Sequence, residues 1–211
     1  MQRTFRVCFY AALSASLSVA AALAWQADFQ WDWRRNEELT RKDSLRESKL
    51  MPTEKAAISK AITDQLRPAM FSAGFTSEEQ LENIALDARI KMVDLGGDSA
   101  RELIAQGGDP AVCSPTGNCF FWLFRKTKRN YKLLLYAEGV QMFTIQRTQT
   151  NGFRDIVLAM HGSATASQLT LYKYSNGAYH DVACYDANWT VLEADTLRQL
   201  TEPRITPCGT R

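Results

Sequence analysis

The second half of the chain carries a half-hidden duplication, which constrains the fold more than any other feature. Ala100-Arg101-Glu102-Leu103-Ile104 is answered by Phe153-Arg154-Asp155-Ile156-Val157, an arginine and an acid followed by two aliphatics. Downstream of each comes an aromatic with a tyrosine seven residues later: Phe124 and Tyr131 in the first copy, Tyr172 and Tyr179 in the second. The acids lie 53 positions apart and the aromatic pairs 48, so the first copy has an insertion of five residues, coinciding with the segment that holds Cys113 and Cys119. A period of roughly 50 residues is that of a stacked or fused β unit. The repeats fall at about 88–136 and 140–184.

Residues 1–24 read as a secretory signal. Arg3 and Arg6 make a positive start, residues 7–22 are apolar or small, and Ala22-Leu23-Ala24 offers a small-x-small cleavage site. Retention as an N-terminal anchor is the other reading, because the apolar run approaches the length of a membrane span. Beyond residue 24 the chain has 23 basic and 23 acidic residues. A neutral product has no strong electrostatic pull toward nucleic acid or anionic lipid. The expected product is secreted or periplasmic, with neither nucleic acid nor membrane as a partner after cleavage.

Cys8 would leave with the signal, and Cys113, Cys119, Cys184 and Cys208 remain. An even number in an exported chain points to two disulfides. Cys113–Cys119 is the favoured pair, because Pro115 presets one φ and Gly117 permits a positive one in the turn between them. Cys184–Cys208 would then tie the C-terminal tail back to the sheet. Zinc is the rival reading, but the spacings match no common finger and His161 and His180 are the only histidines.

Residues 25–52 hold Trp25, Trp31 and Trp33 and then a dense run of charge, as in a linker or helical spacer. Residues 53–211 read as a single α+β domain. Ala57, Ile58, Ala61, Ile62 and Leu66 recur at helical spacing, with Pro68 expected to end the helix. Thr76 and Glu79 form a capping-box pattern ahead of Leu81 and Ile84. From about residue 88 strand-like runs alternate with turn signals such as Asn151-Gly152 and Asn176-Gly177, and the last of these runs ends at Cys184. The expected architecture is short N-terminal helices packed on an antiparallel β meander made of two degenerate repeats.

The loop Asp94-Leu95-Gly96-Gly97-Asp98-Ser99-Ala100-Arg101-Glu102 lies where two strands should meet. It resembles the acidic loop of the FG-GAP and VCBS-type repeats of exported β proteins. The resemblance spans residues 88–136 and, in a more degenerate form, 140–184. It implies a calcium site with Asp94, Asp98 and Glu102 as its oxygen donors. Two departures bear on that. Gly96 supplies no side-chain oxygen at the second ligand position, and the second copy has Arg147, Gln149 and Asn151 opposite Asp94, Gly96 and Asp98. Calcium takes six to eight oxygens, so Asp94 and Asp98 are expected to serve turn amides and no cofactor is required. With two repeats, a two-sheet or fused-blade domain is expected in place of a closed propeller.

Catalytic signals are sparse. His161-Gly162-Ser163 and His180-Asp181 are the places to look for a base and nucleophile, and no Gly-x-Ser-x-Gly elbow is present. Residues 125–129 form a basic cluster at an expected hairpin tip, flanked by Phe124 and Tyr131. The favoured function is therefore a non-catalytic binding or cell-envelope interaction module, contacting an envelope protein or glycan. Its surface is assigned to Phe121, Arg125, Lys128, Arg129, His161 and Ser163, with residues 162–167 as an open loop. The alternative is a small secreted or periplasmic hydrolase using a loop histidine.

Overall fold

Phe120, Phe121, Trp122, Leu123 and Phe124 are apolar without interruption because their strand is covered on both faces. The computed structural model describes residues 43–74, 77–97, 101–128, 130–193 and 196–209, all within the unit Trp33–Arg211. The proposed signal, the tryptophan-rich stretch, Thr76, Asp98 and Arg129 lie outside the described residues. Two helices, α1 (Pro52–Ser72) and α2 (Glu78–Leu86), precede β1 (Arg89–Val93), β2 (Glu102–Gln106), β3 (Cys119–Lys126) and β4 (Tyr131–Val140). Then follow β5 (Met142–Thr150), β6 (Phe153–Ser163), β7 (Ala166–Ser175), β8 (Ala178–Glu193) and β9 (Thr196–Pro207). The fold is α+β and mostly β. The strands make two antiparallel meanders, a four-stranded sheet β1-β2-β3-β4 and a five-stranded sheet β5-β6-β7-β8-β9.

Strand periodicity sorts the core into two layers. Leu103, Ala105, Trp122 and Phe124 face the helices and pack with Ile58, Ile62, Leu66, Met70, Leu81 and Ile84. Ile104, Phe121 and Leu123 face the other way and pack with Phe143, Ile156, Leu158 and Tyr179 of the five-stranded sheet. The order of layers is helices, four-stranded sheet, five-stranded sheet. No helix among the described residues is long and apolar enough to cross a membrane.

The sequence expectations need four adjustments. Pro68 does not end α1, which runs on to Ser72. A proline there forfeits one main-chain bond, and burial of Leu66 and Met70 against the sheet offsets it. Residues 43–50, assigned to the spacer, include buried Leu45, and Leu45 N donates to Ala88 O at 2.8 Å along the free side of β1. The supposed loop 162–167 is a tight turn, since β6 continues to Ser163 and β7 starts at Ala166. Finally, strand structure does not stop at Cys184, because β8 extends to Glu193 and β9 pairs beside it. Most of β9 is exposed, so its sequence carries little of the apolar alternation that marks a half-buried strand.

Glu54 ties the start of α1 to the β3–β4 hairpin. Its carboxylate accepts from Met51 N at 3.0 Å, pairs with Lys126 Nζ at 2.7 Å and accepts from Tyr131 OH at 3.2 Å. The hydrogen bond from Lys126, then that from the Met51 amide, holds the Glu54 carboxyl below its ordinary value. Burial, with Glu54 beside it, pushes the Tyr131 hydroxyl up to about 12. The signs follow from linkage. The Glu54 contribution is full above pH 4.5 and is lost as pH falls through the depressed value. The Tyr131 contribution is full below pH 10 and is lost as pH rises toward about 12. Because Lys126 is half exposed, the acid-side effect is expected to be about 1 kcal/mol or less. Urea titrations across pH should show Glu54→Gln losing less stability than wild type below pH 4.5, and Tyr131→Phe flattening the alkaline limb.

Candidate functional site

The chain changes sheets across one residue. Val140 at the end of β4 pairs with Cys119, and Met142 at the start of β5 pairs with Ala159 in the other sheet, leaving Gln141 alone at the corner. Gly139 makes the approach with φ 72°, and a Cβ there would fall 2.8 Å from the Met160 sulfur. A switch this abrupt leaves main-chain groups without ladder partners, and side-chain amides supply them. Gln141 N donates to Ala159 O at 2.8 Å. Continuing the β5–β6 register would put position 140 opposite His161, but Val140 is taken by Cys119. The Asn118 carboxamide fills that place, donating Nδ2 to His161 O and accepting from His161 N, both at 2.8 Å. Gln106 Nε2 donates to Val140 O at 2.7 Å.

The segment that presents Asn118 holds both Cys113 and Cys119 and is shaped by its own residues. Asp109 caps the short 3-10 turn Pro110–Val112 by accepting from Ala111 N at 2.7 Å. Cys113 and Cys119 are disulfide-bonded with Cα atoms 4.0 Å apart. Between them Ser114 N donates to Asn118 O at 2.8 Å and Gly117 N to Ser114 O at 2.9 Å, with Gly117 at φ 86°. The second bridge, Cys184–Cys208, joins β8 to the residue just past β9. Both pairings are those expected from the sequence.

A groove of about 620 Å³ opens beside this loop, lined by Arg89, Gln106, Gly107, Gly108, Pro110, Cys113, Ser114, Pro115, Gly117, Cys119, Gln141 and Met142. Its size is in the range of small-molecule and peptide clefts. Gly107 and Gly108 form a floor with no room for a side chain. A Cβ on Gly108 would lie 2.1 Å from Asp87 O, and one on Gly107 would lie 2.7 Å from Val112 Cγ2.

The residues singled out from sequence scatter. Phe121 is fully buried, with its ring 5.8 Å from that of Phe143. Its assignment to a surface is corrected, because an apolar run buried on both faces gives no phase from which to pick the outward residues. Arg125 is used internally, 3.8 Å from Glu102 and with its guanidinium 4.6 Å over the Phe153 ring. Lys128 is exposed at the β3–β4 tip. His161 is half-buried in β6 and Ser163 is exposed near its end. Ser163 pairs with Ala166 and His180 with Lys173. Seven residues of β7 separate them, roughly 23 Å at about 3.3 Å per residue, so they form no catalytic pair.

Asp94 and Glu102 serve main-chain amides. Asp94 Oδ1 accepts from Gly97 N at 2.7 Å, and fully buried Glu102 accepts from Leu95 N at 2.9 Å. Leu95 O in turn accepts from Arg154 N at 2.8 Å, joining this turn to β6. Asp155, also buried, accepts from Thr148 Oγ1 at 2.6 Å. Tyr179 donates to Arg154 O at 2.7 Å, and burial, then the Glu102 and Asp155 charges, pushes its hydroxyl far above the ordinary value. Among the described residues no group of three or more His, Cys, Asp or Glu is placed to hold a metal ion.

Sequence reasoning missed Arg89, Gln106, Gly108 and Gln141. The one available signal was Gly107-Gly108, a glycine pair next to the cysteine insertion, which marks a close backbone approach. No protein-family model, no curated protein and no solved structure matches the chain.

Two outcomes test this account of the corner. Asn118→Ala deprives two main-chain groups of β6 of their partner and should cost about 1–3 kcal/mol in urea unfolding. Replacing both Cys184 and Cys208 with serine should cost about 3 kcal/mol and replacing Cys113 and Cys119 about 2, because the separations bridged are 24 and 6 residues.

Proposed function

We propose that the chain is an exported, non-catalytic binding module, built from two degenerate copies of one β unit, that engages a protein or glycan of the cell envelope. The observation that carries this reading is the groove at the sheet-switch corner. Its walls are held by a disulfide and by side-chain amides, so the cleft is preformed and a ligand need not order it. A rigid β scaffold presenting a stapled loop is a common arrangement for recognition.

Two lines support duplication. In β2-β3-β4 and β6-β7-β8 a buried acid stands near the head of the first strand, Glu102 or Asp155, and accepts from a residue seven positions earlier. Each third strand begins with a buried tyrosine, Tyr131 or Tyr179, at position one or two. The reading keeps the sequence likeness to FG-GAP and VCBS-type repeats as a proposal. It gives Asp94 and Glu102 to main-chain amides at the turn and requires no calcium. Export is supported by residues 1–24 as a signal and by the two disulfides, which persist in oxidising compartments.

The test is site-specific photo-crosslinking in the native envelope. A photoreactive residue at Gln141 should capture a partner, while the same residue at Lys128 on the β3–β4 tip should not. Capture at Lys128 alone would move the site to the basic tip. Loss of a measured turnover in a folded His161→Ala, His180→Ala double variant would replace the binding reading with the hydrolase one.

A further inference from the structure

Arg89 is set apart from the other basic residues of this fold by its place in the lining of the corner groove. Arg46 is paired with Asp87, Lys60 with Asp64, Arg67 with Glu78, Lys126 with Glu54 and Arg198 with Glu193. Arg89 makes no ion pair among the described residues, although Asp87 is two positions away, because Arg46 holds that carboxylate at 3.1 Å. Among the described residues that line the corner groove, Arg89 is also the one with an ionised side chain. Its stem passes close to the glycine floor, with Cγ 3.7 Å from where a Gly108 Cβ would stand. The Gly108 N–H has no hydrogen-bond acceptor among the described residues. An arginine whose stem runs beside the glycine floor, with no acid among the described lining residues, is complementary to an anion, and a planar guanidinium suits a carboxylate best.

The remaining lining narrows the ligand. Pro110, Pro115 and Met142 supply small apolar surfaces, while the carboxamide oxygens of Gln106 and Gln141, whose Nε2 groups donate to Val140 O and Thr116 O, can accept from amide groups. No aromatic ring lines the groove among the described residues, so a sugar ring would find no flat apolar face there to lie on. The volume of about 620 Å³ accommodates a short stretch of chain. We propose that the groove binds an acidic peptide segment, whose carboxylate is anchored by Arg89 and whose backbone lies along Gly108 and Gln141. This rests on the reading of the chain as a binding module and names the ligand class of that site.

The experiment follows amide NMR shifts of the isotope-labelled protein against two probes, an acetylated and amidated Ala-Pro-Glu-Ala peptide and its Gln counterpart. The Glu peptide should shift Gly107, Gly108, Gly117 and Gln141 saturably. Arg89 is exposed, so its anchor should be worth roughly five-fold in affinity. The Glu peptide should therefore bind wild type roughly five-fold tighter than the Gln peptide does, and lose that advantage in Arg89→Gln. The wild-type comparison of the two peptides needs no variant, so a misfolded Arg89→Gln would not shield the proposal. Equal binding of the two peptides would overturn it while leaving the binding-module reading intact. So would tighter binding of an oligogalacturonate than of the Glu peptide, or shifts confined to residues outside the groove. Absence of any shift at millimolar peptide would also overturn it, and crosslinking at Gln141 would then decide separately whether the groove binds anything.

Discussion

The structure depends on how the backbone is satisfied where the chain leaves one sheet for the other. Val140 and Met142 belong to different ladders with only Gln141 between them. An unpaired buried main-chain group costs about as much as a lost hydrogen bond, so a corner this tight survives only if something else supplies partners. Asn118 and Gln106 do so from two other elements. Asn118 can reach His161 because the Cys113–Cys119 bridge and the Gly117 turn hold it there. The segment between the two cysteines is therefore part of the joint between the sheets as well as a wall of the groove.

The four-stranded sheet is the middle layer, and its inner strands β2 and β3 are mostly apolar on both sides for that reason. Two buried acids, one in each sheet, stand near the heads of their strands. Glu102 is buried at the head of β2, holds the preceding turn through Leu95 N and stands across from Arg125. Asp155 is buried near the head of β6 and holds Thr148. Arg125 spends its charge on Glu102 and the Phe153 ring, whereas Arg89, at the open end of β1, has no such internal use. Sequence position alone does not reveal that contrast.

The disulfide pairing was legible because the short Cys113–Cys119 separation, with Pro115 and Gly117 between, leaves few other ways to fold, and two cysteines then remain for each other. The hairpin turns at Asn151-Gly152 and Asn176-Gly177 were legible because both asparagines and both glycines adopt positive φ there. Phe121 was misplaced on the surface because a strand buried on both faces has no apolar alternation to give its phase. Residues 162–167 look like a loop from their small side chains, yet a tight turn suffices and β6 and β7 run through them. β9 went unread because most of its residues are exposed, so it is held by its ladder to β8 and by Cys208 more than by burial.

Sequence by itself determined the α+β character, the antiparallel meander and the partners of the four cysteines. Those properties are set by local spacing, turn chemistry and the count of like residues. Only the tertiary structure decided which face of each strand meets which layer, that the chain switches sheets at Gln141, and that Arg89, Gly108 and Gln141 line one groove. These residues come from elements far apart in the chain, and their proximity is a consequence of packing two sheets around a corner, which no short window of sequence encodes.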